Sequence, residues 1–206
     1  MTTRILLVRH GETTWNAEKR WQGWADSPLS ELGMRQAVMA AEAVGAVDAI
    51  VASDLSRAAE TARIISELTG VGPVLTDPDL RERDVGEWSG LTRDEIEARF
   101  PGAYAAWRED PNRPPPGGES NATILVRVEA ALRRIAAAHD GGEVLAISHG
   151  GVMRLLERTH SDTDRPPPFP NLGGLVVDVH GARIDVGDRV LLLDPSTDSV
   201  TAPPNL

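Results

Sequence analysis

Four side chains suited to phosphate chemistry stand in three places: Arg9-His10-Gly11, Ser53 followed one helical turn later by Arg57, and His149-Gly150-Gly151. Guanidinium forks match phosphate oxygens, a neutral imidazole is a nucleophile near pH 7, and a helix start turns backbone N–H groups toward an anion. Two arginines can gather the charge of a phosphate without a metal. No dense His/Asp cluster stands at ligand spacing, so neither a metal nor any other cofactor is expected. Glu82, in the Gly-punctuated loop "LRERDVGEW" after an expected strand, is the carboxylate placed to carry a proton.

Strand ends must position these groups. Ile5 to Val8 is a continuous apolar run of the kind parallel sheets bury, and it stops at Arg9. "DAIVAS" and "EVLAIS" read as further strands, the first ending in Ser53 and the second just before His149. Between them lie expected helices: "MRQAVMAAEAVG" stopped by Gly45, "LSRAAETARIISELTG" capped by Asp54 and stopped by Gly70, "RDEIEARF" headed by Thr92, Ala122 to His139, and "VMRLLERTH" opened by Gly150-Gly151. "GPVLTD" reads as a short strand and the C-terminal third as three runs, "GLVVDV", "ARIDV" and "RVLLL", while "EDPNRPPPGGES" and "SDTDRPPPFPN" read as surface segments. Alternating strands and helices predict an α/β, three-layer α/β/α fold with a mainly parallel central sheet and antiparallel edge additions. Ligands of such sheets bind beyond the carboxyl ends of the strands, where Arg9, His10, Arg57 and His149 fall together.

Length and charge narrow the partners. The 206 residues suit a single domain, 1–206, and no apolar run approaches a membrane span. The first apolar run is too short for a signal peptide core and cysteine is absent, so the cytoplasm is the expected compartment. A formal net charge of −10 argues against nucleic acid, leaving a few arginines to act locally on a small phosphorylated molecule. Gly11 and Gly150 are expected to remove side chains where the backbone meets the ligand. Trp24 and Trp88 are the tryptophans expected to shape the substrate pocket, Arg81 and Arg83 beside Glu82 read either as reaching an anionic substrate or, in the ordinary case, as exposed arginines, and His139, His160 and His180 receive no role. Exposed strands near the C-terminus offer a pairing edge for a homodimer.

The run Arg9-His10-Gly11-Glu12-Thr13-Thr14-Trp15-Asn16 resembles the first motif of the histidine phosphatase superfamily, in its phosphoglycerate mutase-like branch. "WQGWADSPLSELGMRQA", "SDLSRAAETA", "LRERDVGEWSGLT", "GGES" and "SHGG" resemble later blocks in the family's order, so the resemblance runs to about Arg154. It implies a phosphoglycerate mutase-like fold and a nucleophile at His10 that forms a phosphohistidine. Arg9, Arg57 and His149 would line the phosphate pocket with Asn16 and Gly150, and Glu82 would be general acid and then general base. Gln22 and Gly23 would approach the phosphate or the substrate. The compact interval from Glu82 to Glu119 resembles phosphatase-type actinobacterial members, of broad specificity or acting on sugar phosphates, rather than mutases with their longer covering insertion. The expectation is therefore a phosphomonoesterase for small metabolites of sugar phosphate or phosphoglycerate type. A cofactor-dependent phosphoglycerate mutase and a non-catalytic phospho-ligand binder are the alternatives.

Overall fold

Six strands form one sheet in the order β3-β2-β4-β1-β5-β6. The computed structural model describes residues 1–110, 112–161 and 166–193. Four residues of the loop "SDTDRPPPFPN", 162–165, lie outside that set, as do Pro111 and residues 194–206 of the expected single domain. The strands are β1 (Thr3–Arg9), β2 (Ala49–Ala52), β3 (Leu75–Thr76), β4 (Glu143–Ser148), β5 (Gly173–His180) and β6 (Arg183–Leu191). Strands β1 to β4 run parallel, while β5 and β6 add antiparallel on the β1 side. This is the architecture expected.

Period-two alternation on the central strands divides the core into two layers. Ile5 and Leu7 of β1, Val51 of β2, and Val144 and Ala146 of β4 pack on one face against α6 (Asn121–Ala138) and α7 (Gly150–His160). Val8, Ile50, Leu145 and Ile147 pack on the other face against Ala40, Ala58, Ala62 and Ile65 of α2 (Glu31–Ala43) and α3 (Ser56–Thr69). Each fully buried aliphatic side chain in these layers contributes about 1.5–3 kcal/mol. A third, aromatic cluster of Trp21, Trp88, Ile96 and Tyr104 lies under two short helices, α4 (Arg93–Arg99) and α5 (Ala103–Glu109). A one-turn helix, α1 (Thr14–Ala17), follows the first motif.

Several helix starts follow local chemistry. Ser30, Thr92 and Ser120 each accept a hydrogen bond from a backbone N–H of the helix they head. Asp54 does not cap α3: both its carboxylate oxygens are held by the Arg81 guanidinium, at 2.7 and 2.5 Å, and α3 begins at Leu55 with no side-chain cap. The runs "ARIDV" and "RVLLL" are one strand rather than two, because β6 pairs with β5 across a bulge between Leu175 and Val177. No helix among the described residues is long and apolar enough to cross a membrane.

Candidate active site

The chain leaves β1 toward α2 on one face of the sheet and leaves β4 toward α7 on the other. Neighbouring parallel strands whose connections diverge open a crevice at their carboxyl ends. His10 and His149 flank that crevice, with ring centroids 5.2 Å apart.

The backbone at His10 is fixed from several sides. Its N–H donates to the Ser148 carbonyl at 3.1 Å, and its carbonyl accepts from Asn171 Nδ2 at 2.9 Å. The Gly11 N–H donates to Thr61 Oγ1 at 3.1 Å. The ring is oriented by Nδ1, which lies 2.6 Å from the Gly11 carbonyl. A carbonyl only accepts, so Nδ1 carries the proton and Nε2 carries the lone pair. Burial, reinforced by Arg57 and Arg9, holds the His10 pKa well below its ordinary value, so the imidazole is neutral.

His149 is also buried and neutral, its pKa depressed by burial and then by Arg57 and His10. Its Nε2 lies 2.9 Å from Ser53 Oγ, which already accepts from the Leu55 N–H at 3.3 Å. The Ser53 hydroxyl has no other acceptor among the described residues, so donating to Nε2 satisfies both groups and leaves Nδ1–H as a buried donor without a partner among those residues.

Arg9 and Arg57 are buried cations. Arg9 Nη1 donates to the Phe169 carbonyl at 2.6 Å; Arg57 donates to the Gly23 and Ala25 carbonyls at 2.7 and 3.0 Å. Burial lowers each guanidinium pKa to about 10, and both remain charged at neutral pH. Arg57 Nε has no partner among the described residues. A buried donor left unpaired costs about 1–3 kcal/mol, more when charged, so these orphan N–H groups stand ready for an anion.

Glu82 joins this group from the loop after the Pro78–Leu80 turn. Its Oε1 accepts from the Arg83 N–H at 2.8 Å, and its Oε2 from the Gly151 N–H at 3.0 Å, at the first turn of α7. A Cβ on Gly151 would lie 2.5 Å from Glu82 Oε1, so glycine here admits the carboxylate.

The remaining expected residues converge as well, with different reasons for some. Asn16, Gln22, Gly23 and Gly150 line the same cavity of about 1110 Å³ as Arg9, His10, Arg57 and Glu82. Asn16 Oδ1 is occupied by the Thr13 N–H at 3.1 Å, which leaves its NH2 as the donor. Gln22 Oε1 is buried without a partner. Gly23 positions Arg57 through its carbonyl. Gly11 makes room for protein, not ligand: a Cβ there would lie 2.7 Å from the Gly33 carbonyl oxygen, and one on Gly33 would lie 2.0 Å from that of Glu12. Gly150 similarly admits the Arg9 side chain, whose Cδ would lie 3.3 Å from an added Cβ.

Trp88 belongs to the aromatic core, edge-on to Trp21 with centroids 5.3 Å apart, and does not line the cavity. Trp24 sits beneath the Arg81 guanidinium and donates to the Glu82 carbonyl at 2.7 Å, positioning the acid loop rather than the substrate. Trp21 and Trp107 are the tryptophans on the wall. Arg83 is buried, not exposed, and donates to the Glu119 carbonyl at 3.1 Å and to Asn121 Oδ1. Sequence reading missed the outer wall of Arg93, Arg108, Arg154 and Arg158, which scattered elements bring together. Arg154 and Arg158 carried the one available signal, repeating at four-residue spacing from Gly150 in a helix expected to start at the site.

Comparison with known proteins agrees with this geometry. The family model described as "Histidine phosphatase superfamily (branch 1)" matches residues 5–171. A metal-independent phosphoserine phosphatase of Arabidopsis thaliana is 43% identical over 159 residues, 75% of this chain and 67% of the relative. A glucosyl-3-phosphoglycerate phosphatase of Mycobacterium tuberculosis is 42% identical over 163 residues, 74% of this chain and 73% of the relative. The solved structure of a mycobacterial glucosyl-3-phosphoglycerate phosphatase complexed with VO3 superposes with a TM-score of 0.80 at 34% identity, covering 89% of this chain and 96% of that one.

Proposed function

The chain belongs to the histidine phosphatase superfamily and is a phosphoric monoester hydrolase; we propose that it works through a phosphohistidine on His10, with Glu82 moving the proton. The observation that carries this reading is the pair of buried, unpaired atoms Arg57 Nε and His149 Nδ1 beside a neutral imidazole whose lone pair is on Nε2. His10 Nε2 attacks phosphorus, the bond to the leaving oxygen breaks, and Glu82 supplies the proton that oxygen needs. Arg9, Arg57 and His149 Nδ1–H meet charge developing on the equatorial oxygens, each such donor contributing about 3–4 kcal/mol of barrier reduction. Water then attacks the phosphohistidine, and Glu82 takes the proton it releases. The reading takes residues 1–206 as one domain acting on small phosphorylated metabolites of sugar phosphate or phosphoglycerate type.

Phosphate release from a panel containing glucosyl-3-phosphoglycerate, phosphoserine and simple sugar phosphates tests the activity. Rapid quenching of the reaction is expected to trap an acid-labile, base-stable phosphoenzyme that His10→Ala abolishes. Rapid interconversion of 2- and 3-phosphoglycerate with a bisphosphoglycerate primer, without phosphate release, would overturn hydrolysis in favour of mutase action.

A further inference from the structure

Resting on the phosphatase reading, we propose that Arg83, Arg154 and Arg158, with Arg108 at the rim, form a second anion subsite. The substrate is then a phosphomonoester bearing a further anionic group, a carboxylate or a second phosphate, close to the ester that is cleaved.

The charge distribution is the first ground. Among the described residues, eight arginines and three acidic side chains line the cavity, in a chain whose formal net charge is −10. Arg9 and Arg57 suffice for the transferred phosphate, and Arg20 is engaged by Glu18 and Glu95. Arg158 is half-buried, and among the described residues neither it nor Arg108 has an acidic partner or a hydrogen bond. A like-charged group held partly out of water beside other cations is unfavourable unless an anion joins it.

Arg83 and Arg154 each sense neighbouring cations of the group. Burial lowers the Arg83 pKa, with Arg158 and Arg127 adding to the effect and Glu82 and Glu119 opposing it. Burial likewise lowers that of Arg154, reinforced by Arg189, Arg108 and Arg158 and opposed by Glu82. Arg83 and Arg154 are anchored, the first on Glu119 and Asn121, the second through Nε to the Pro166 carbonyl at 3.2 Å. Anchoring holds cations in place against their mutual repulsion.

Helix geometry supplies the distance. Gly150, Arg154 and Arg158 share one face of α7, so the two arginines root about 6 and 12 Å along the axis from the turn beside Glu82. Side chains on a helix lean toward its N-terminus, which brings both guanidinium groups back toward the phosphate site. That spacing suits a small acid rather than an anion at the end of a long chain.

The test uses the full-length protein and three esters that differ in the tail: glycerol 1-phosphate, 3-phosphoglycerate and 1,3-propanediol bisphosphate. Wild type is expected to favour at least one charged tail by about 10- to 100-fold in kcat/KM, the range of one charge-assisted hydrogen bond. Preference for the acid or for the bisphosphate identifies which anion the subsite takes. Arg158→Gln is expected to cut that preference about tenfold, chiefly through KM, with a melting temperature equal to or above wild type because a repelling charge is gone. Equal hydrolysis of all three esters by wild type overturns the subsite and leaves the phosphatase reading intact. A lowered melting temperature with an unaltered preference overturns it too, by making Arg158 structural. No phosphate release from any ester brings down both readings.

Discussion

His10 and His149 follow the ends of central strands hydrogen-bonded to neighbours on both sides, whereas Tyr104, Trp107 and Arg108 stand on a seven-residue helix just after Gly102. The floor of the cavity inherits its coordinates from the sheet. Register pairs Arg9 with Ser148 and Ala52 with Ile147, so the loops bearing His10, Ser53 and His149 leave at adjacent points. The rim rests on a separate aromatic cluster, in which Trp21, Trp88, Tyr104 and Trp107 meet one another mostly edge to face. Changing the α5 side of the rim therefore leaves the two sheet-bound hydrophobic layers untouched. A fold divided in this way can keep one reaction while its substrates diverge, because the reacting groups and the α5 side of the recognising wall belong to different packing units, Arg154 and Arg158 alone standing on α7, which packs against the sheet.

The strongest way to break this division is at the floor. His10→Ala is expected to reduce phosphate release by roughly 10⁴-fold or more for every substrate alike, as loss of a nucleophile does; a residual activity that varies strongly between substrates would show that floor and rim are not separable. Glu82→Gln is expected to slow alkyl esters by about 10²–10⁴-fold, the usual worth of general acid–base catalysis. With p-nitrophenyl phosphate, whose leaving group needs little protonation, the loss should be far smaller. Equal losses with both ester types would assign the proton to another group.

Smaller effects sharpen the comparison through stability. Gly33→Ala forces a methyl group against the Glu12 carbonyl directly beneath the His10 loop, at a cost of about 3 kcal/mol, the upper end for overpacking. Chemical denaturation should show that loss together with a fall in kcat, and an unperturbed kcat would mean the loop tolerates displacement. The smallest effect concerns protons. His10 and His149 have folded pKa values below the ordinary 6.5, so above that pH both states are neutral and the pair adds no slope. As pH falls below about 6.5 the unfolded chain binds protons that the folded one refuses, and stability drops by about 1 kcal/mol per pH unit at each site. Replacing either histidine with glutamine should flatten the denaturation profile between about pH 6.5 and 5, and an unchanged slope would place the protons elsewhere.

Most of the floor was legible because each of its residues ends an apolar run or starts a helix, so local pattern and strand polarity alone bring Arg9, His10, Arg57 and His149 together. The errors cluster where a side chain's partner is distant in sequence. Asp54 has the right type for a cap, but Arg81, 27 residues on, takes its carboxylate. Gly11 reads as an opening for a ligand because its close approach to Gly33 exists only in the folded chain. The rim was nearly invisible for the same reason: α5 is short, and apart from the four-residue spacing of Arg154 and Arg158 from Gly150 nothing local distinguishes Arg108 or Arg158 from solvated arginines until three elements face one cavity.

The hydrogen bonds at the end of β1 carry a consequence for synthesis. Arg9 is held by the carbonyl of Phe169, 160 positions later, and the His10 carbonyl by Asn171, 161 positions later. Among the described residues β1 pairs only with β4 and β5, so it leaves the ribosome well before either neighbour has been made. Such long-range closure is slow relative to local helix formation. A nascent chain halted before Phe169 would carry every residue assigned to the reaction and still lack the contacts that hold Arg9 and His10 in register. Phosphate turnover is in that sense a late property of the growing polypeptide, acquired when its C-terminal third returns to its beginning.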